Sequence, residues 1–110
     1  MSLTLISTTD RSPFTQIAEG VEASRSIADS AVCDLGGGHL RFVADGVLEG
    51  TLEYDEVVYV LVGSLSLTVE EKTAVAGPGD ILVLTNGTTA TYRAVAGTEL
   101  FYVLNPRPRS

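Results

Sequence analysis

Residues 57–70, VVYVLVGSLSLTVE, leave little choice of backbone. Apolar and polar side chains alternate strictly across residues 64–70. Leu65, Leu67 and Val69 fall on one side and Ser64, Ser66 and Thr68 on the other, the period of a half-buried strand and not of a helix. The preceding run, 57–62, is apolar on both sides and rich in β-branched residues, so it is expected deep in a sheet with both faces covered. Gly63 permits the turn between the two.

The same grammar continues in both directions. From about residue 38 onward, short apolar runs are separated by Gly, Asp, Asn and Pro, which points to an all-β sandwich or barrel. Gly77-Pro78-Gly79-Asp80 has Pro and Gly where a type II turn needs them, and a strand over 81–84 follows. Asn86-Gly87 is a second turn pair. Beyond it TTATYRAV and TELFYVLN read as the last two strands, hinged near Gly97. The final NPRPRS blocks further pairing, and Arg107 and Arg109 are expected in a solvated tail. In the N-terminal third, Ser12-Pro13, then Phe14, Ile17 and Ala18, then Gly20 carry the cap, first-turn proline, apolar spacing and terminal glycine of one short helix. One or two irregular strands are expected over 21–35, and Gly36-Gly37-Gly38 as a turn before the strand HLRFVAD. The expected organisation is an N-terminal segment over 1–35, a β-barrel of about eight strands over 36–106 and a tail over 107–110.

Composition narrows the partners. A chain of 110 residues is one domain and can bury a core without staples. With 7 basic against 14 acidic residues, and Lys72 as the only lysine, no patch can neutralise a run of phosphates. No nucleic acid or membrane partner is expected. The single cysteine, Cys33, cannot form an internal disulfide and reads as a small near-core hydrophobe. Neither a secretory signal nor an apolar run of about 18 residues is present, so a soluble, cytoplasmic protein is expected.

Glu56, six residues and Gly63 match the second half of the first cupin motif, while Gly77-Pro78-Gly79-Asp80 and Asn86-Gly87 match turns of the second. Tyr54-Asp55-Glu56-Val57, Tyr59-Val60-Leu61 and Phe101-Tyr102-Val103 further resemble the cupin domain of the ethanolamine-utilisation Q protein family, over roughly residues 36–106. The resemblance implies a small jelly-roll barrel, usually a homodimer. It also implies a link to ethanolamine breakdown and an acetate kinase-like activity, with acetate or acetyl phosphate as a substrate class. Metal-binding cupins carry two histidines shortly before the motif glutamate and a third in the second motif. Here those places fall at Gly50 and Leu52, or at Glu49 and Thr51, and near Ala90. Only Glu56 remains of the four, and with His39 the sole histidine no three-histidine or 2-His-1-carboxylate site can be built in one subunit. Neither metal nor other cofactor is expected.

Strand parity sorts the remaining candidates. Glu56 shares a face with Val58, Val60 and Val62, and the resemblance turns that face into the barrel. An acid there, without a metal, has its pKa raised toward the range of a general acid or base, or is satisfied by a tyrosine or arginine and only structural. Tyr92, in parity with Ala90, is expected to point inward, where its hydroxyl orients a ligand or donates to Glu56 or its ring only packs; Tyr54 and Tyr102 are ligand-binding candidates or packing residues on the same terms. His39 and Arg41 share one face opposite Leu40 and Phe42. If that face is internal they bind ligand; if external they are solvated. The expected function is a metal-independent cupin binding or converting a small polar metabolite through Glu56 and Tyr92. Against it stand a non-catalytic binding module and a dimeric interaction subunit.

Overall fold

The computed structural model describes residues 3–29 and 32–107. Among these the chain forms ten strands and no helix. In order they are β1 (Thr15–Ala18), β2 (Val21–Ile27), β3 (Gly36–Phe42), β4 (Gly46–Thr51) and β5 (Asp55–Val62). There follow β6 (Leu65–Val69), β7 (Lys72–Ala76), β8 (Ile81–Leu84), β9 (Thr89–Ala94) and β10 (Glu99–Asn105). They make two antiparallel sheets, one ordered β1-β2-β3-β10-β5-β8 and the other β4-β9-β6-β7, packed face to face as a jelly roll. With no helix present, none is long and apolar enough to cross a membrane.

The period-2 pattern sets what lies between the sheets. Leu40 and Phe42 of β3, Val58 and Val60 of β5, and Leu100, Tyr102 and Leu104 of β10 point inward from the larger sheet. They meet Leu65 and Leu67 of β6 and Ala90, Tyr92 and Ala94 of β9. The β5–β6 connection turns at Gly63 as expected, but it carries the chain from one sheet to the other, so these two consecutive strands do not pair. The β9–β10 connection at Gly97 does the same. The turn before β8 has the expected form: Gly79 has φ +90°, and the Asp80 N–H donates to the Gly77 carbonyl at 3.0 Å.

Four expectations are corrected. The N-terminal helix is a strand: β1 pairs antiparallel with β2 through a tight turn at Gly20, matching Thr15 to Ala23 and Gln16 to Glu22. One turn of helix leaves most of its backbone groups unpaired, whereas here the open edge of β2 supplies partners at once. Gly36-Gly37-Gly38 is not a turn but the start of β3, wedged between β2 and β10. A Cβ on Gly38 would lie 1.9 Å from the Ser24 carbonyl oxygen, and one on Gly37 2.3 Å from that of Tyr102. The glycines serve close strand approach, not chain reversal.

Residues 57–62 are covered on one side only. Val57, Tyr59 and Leu61 lie on the outer face of the larger sheet and are 38–44% exposed. Arg107 is not a free tail residue, because its N–H donates to the Asp34 carbonyl at 3.1 Å and its Nη1 to the Cys33 carbonyl at 2.8 Å. Arg109 lies outside the described residues.

Candidate functional site

Between the sheets, toward one end of the barrel, a cavity of about 350 Å³ opens. Its walls are mostly apolar, with Leu40, Leu48, Leu52, Val58, Leu100 and Leu104 contributing from both sheets. Its polar residues are Glu56, Tyr54, Tyr92 and Tyr102, with Arg25, Glu49 and Thr51.

Glu56 reaches this cavity because it is the first inward residue of β5, two places before Val58. It is 7% exposed, and the Tyr92 hydroxyl from the facing sheet donates to its Oε1 at 2.5 Å. Burial pushes the Glu56 carboxyl above the usual carboxylate range, against the Tyr92 hydrogen bond, which favours the ionised form. Desolvation and the nearby Glu56 charge push the Tyr92 hydroxyl far up, so it keeps its proton and serves as a donor. The Tyr54 and Tyr102 hydroxyls are raised as well, chiefly by burial. An acid able to hold or release a proton thus sits beside a fixed donor, in an apolar pocket with two further hydroxyls. That is the equipment of proton transfer or of hydrogen-bonded ligand capture.

Four of the six expected site residues, Glu56, Tyr92, Tyr54 and Tyr102, come together. His39 and Arg41 do not line the cavity. Leu40 and Phe42 take the inner face of β3, so the other two point outward. The Arg41 Nη2 pairs with Glu22 Oε1 at 2.7 Å, and its guanidinium lies 3.8 Å from the centre of the Phe14 ring. His39 packs on Phe101 with ring centres 5.3 Å apart. Burial, then the Arg11 charge, lowers its pKa, with Glu99 opposing.

Two charged members, Arg25 and Glu49, were missed. Arg25 enters the cavity from β2, a segment read only as irregular, and parity with Val21 and Ala23 would have turned it inward once that strand was drawn. The β2 register also shifts between Ser24 and Ile27, placing Arg25 and Ser26 in a bulge opposite Gly38.

The donor set does not fit a cupin metal. Neither pair of places where two histidine ligands would stand, Gly50 and Leu52 or Glu49 and Thr51, holds a histidine, and Glu56 has a tyrosine for its neighbour. Among the described residues no group of three His, Cys, Asp or Glu side chains is placed to hold an ion.

Two facing antiparallel sheets with the motif glutamate turned into the space between them define a cupin, and the structural relatives agree. The jelly roll superposes on KdgF from a Halomonas species with a TM-score of 0.82 at 17% identity, covering 97% of this chain and 96% of that one. It superposes on the polyketide cyclase RemF of Streptomyces resistomycificus at 0.77 and 18% identity, covering 98% and 83%. More narrowly, the chain belongs to the ethanolamine utilisation protein EutQ family, whose model matches residues 25–108. The ethanolamine utilisation protein Q of Salmonella typhimurium LT2 is similar in structure, with a TM-score of 0.76 at 22% identity over 86% of this chain and 80% of that one. A search of curated proteins finds no match.

Proposed function

We propose that this protein is a metal-independent cupin that binds or converts a small polar metabolite, with Glu56 as acid–base group or anchor and Tyr92 as its donor. The observation that carries this is the Tyr92–Glu56 hydrogen bond, buried and facing into an apolar cavity. A carboxyl with a raised pKa, able to take up and return a proton, beside a hydroxyl that keeps its proton and can hydrogen-bond a developing oxyanion suits isomerisation or elimination. Tyr54 and Tyr102 orient the ligand. Family membership brings in ethanolamine utilisation and, with it, acetate or acetyl phosphate. Phosphoryl transfer, however, is mostly stabilisation of charge by Mg²⁺, Lys and Arg, and the cavity wall holds one arginine. Proton transfer suits the residues better.

The test is incubation with a mixture of small carbonyl and hydroxy metabolites in heavy water, read by mass spectrometry. Deuterium should enter one component, and Glu56→Gln should abolish it. Transfer of phosphate from ATP to acetate that survives Glu56→Gln would refute this reading. A non-catalytic binding module would instead show no incorporation and an affinity that changes in Glu56→Gln. The protein is placed in the cytoplasm in this proposal, consistent with its one free cysteine.

A homodimer is part of the same proposal. The outer face of β5, β8 and β10 carries Val57, Tyr59, Leu61, Ile81, Val83, Phe101 and Val103, a continuous apolar strip on a chain of net charge −7. Two like-charged copies meet most cheaply where neither carries charge. Tyr59→Glu puts an unpaired charge at the centre of that strip and should weaken association by about a hundredfold or more. Light scattering after size exclusion should then find a monomer. A wild-type chain that is itself monomeric at micromolar concentration removes the dimer from the proposal.

A further inference from the structure

The cavity has a second pole that acid–base chemistry at Glu56 does not use. We infer that the pocket selects monocarboxylates, whose carboxylate is held by Arg25 at the mouth while a second oxygen meets Glu56 and Tyr92 inside. This rests on the ligand-pocket reading above and adds the ligand's charge and orientation to it.

Three observations carry it. The first is the contrast between the arginines of neighbouring strands. Arg41 is occupied by Glu22 and by the Phe14 ring, and that is the only ion pair among the described residues. Arg25, in the wall of the cavity, has no carboxylate partner among the described residues. A guanidinium presents a planar fork of donors that matches a carboxylate with two parallel hydrogen bonds.

The second is how Arg25 gets there. The β2 bulge lodges against Gly38, whose missing side chain makes the room, and so holds Arg25 at the rim of the barrel. Arg25 hydrogen-bonds the Tyr102 hydroxyl and its charge also reaches that of Tyr54, both in the cavity wall, and the Glu56 charge reaches the same two hydroxyls. The Glu56 carboxyl itself is governed by burial and Tyr92. Arg25 and Glu56 enter the cavity from β2 and β5, which β3 and β10 separate in the sheet, so the two poles are distinct.

The third is the limit on charge. One arginine faces the cavity, and Glu49 lines it too, on a chain of net charge −7. A dianion such as a phosphate monoester meets one cation and a repelling acid, whereas a single carboxylate is balanced by Arg25 alone.

A matched pair of probes tests this on the intact protein: 4-oxopentanoate, with a carboxylate at one end and a ketone oxygen toward the other, and its uncharged isostere 4-oxopentanamide. Binding is followed by NMR titration of the tyrosine ring resonances. The acid should bind about tenfold tighter than the amide or better. Arg25→Gln should bring the acid down to the amide's affinity and leave the amide unchanged, and Arg25→Lys should recover only part of the gap. Equal affinity of acid and amide for the wild type, or a preference that survives Arg25→Gln, overturns the assignment and leaves the pocket reading standing. If neither probe moves the rings of Tyr54, Tyr92 and Tyr102, both fall together. Arg25 is exposed, and the acid–amide comparison needs no variant, so misfolding does not obscure the answer.

Discussion

Replacing Gly38 by alanine should destabilise the fold by roughly 2–6 kcal/mol, a large share of what a small domain has. The added methyl would sit 1.9 Å from the Ser24 carbonyl oxygen and 3.0 Å from the Ser26 nitrogen, both backbone atoms that no rotamer change can move away. Gly38 also has φ +155°, outside what an L side chain readily adopts. Overpacking and backbone strain of this kind cost roughly 1–3 kcal/mol each, and a small domain has only about 5–15 kcal/mol in total. Because β3 lies between β2 and β10, relief of the clash means parting β2 from the sheet and taking β1 with it. Gly50→Ala is the matched control: nothing lies within 4 Å of a Cβ there, and the change should stay within about 0.5 kcal/mol. Urea titration of the two variants beside the wild type makes the comparison. Equal midpoints for Gly38→Ala and Gly50→Ala would show that β2 yields far more easily than its hydrogen bonding suggests.

Glu56→Gln should lower any turnover by roughly 10²–10⁴-fold, the usual contribution of a positioned acid–base group. The same variant should be more stable than the wild type at pH 8, by about 1 kcal/mol, seen as some 4–8 °C in melting temperature. Folding raises the pKa of this carboxyl, so the folded state holds the Glu56 proton more tightly than the unfolded chain does. Its stabilising contribution is complete below about pH 4.5 and is lost as pH rises through the folded value. Glutamine has the same shape, still accepts from Tyr92 and does not titrate, so its advantage should grow from pH 4.5 to pH 8. His39 works in the opposite direction. Its lowered pKa makes stability fall as pH drops through 6.5, but that effect is common to both proteins and cancels in the difference. A difference that stays flat across this range would mean that Glu56 is ionised and fully satisfied in the fold.

Much of the barrel was legible because its strands alternate and its turns use residues with one dominant conformational habit. The pattern 64–70, Gly77-Pro78-Gly79-Asp80 and Asn86-Gly87 each named a local structure that tertiary packing had no reason to override. Parity then took Glu56 and Tyr92 to the same interior, where the structure shows them in contact. The failures share a cause. Ser12 to Gly20 has helix-like punctuation, but the deciding partner, the edge of β2, lies in the next segment and pairs in a register no local pattern reports. Gly36-Gly37-Gly38 looks like a turn because triple glycine is flexible. What calls for it is the approach of Ser24 and Tyr102 from either side, long-range geometry that appears only when the sheet is assembled. Arg25 was hidden by the same blind spot. Its strand is interrupted by a bulge, and bulges are fixed by what the neighbouring strand leaves open.

The two faces of β5 carry different parts of the proposal. Glu56, Val58 and Val60 border the cavity or core, while Val57, Tyr59 and Leu61 form the bare outer strip. Even-numbered positions answer to a ligand and odd-numbered ones to a neighbour, within a single stretch of backbone. Selection on either property can therefore proceed by point substitution without disturbing the other. Deletion of one residue from this strand would exchange the two sets at a stroke, turning the acid to the outside and Tyr59 to the inside. A change of pocket chemistry by substitution in this strand leaves the outer face in place, provided that the length from Asp55 to Gly63 is kept.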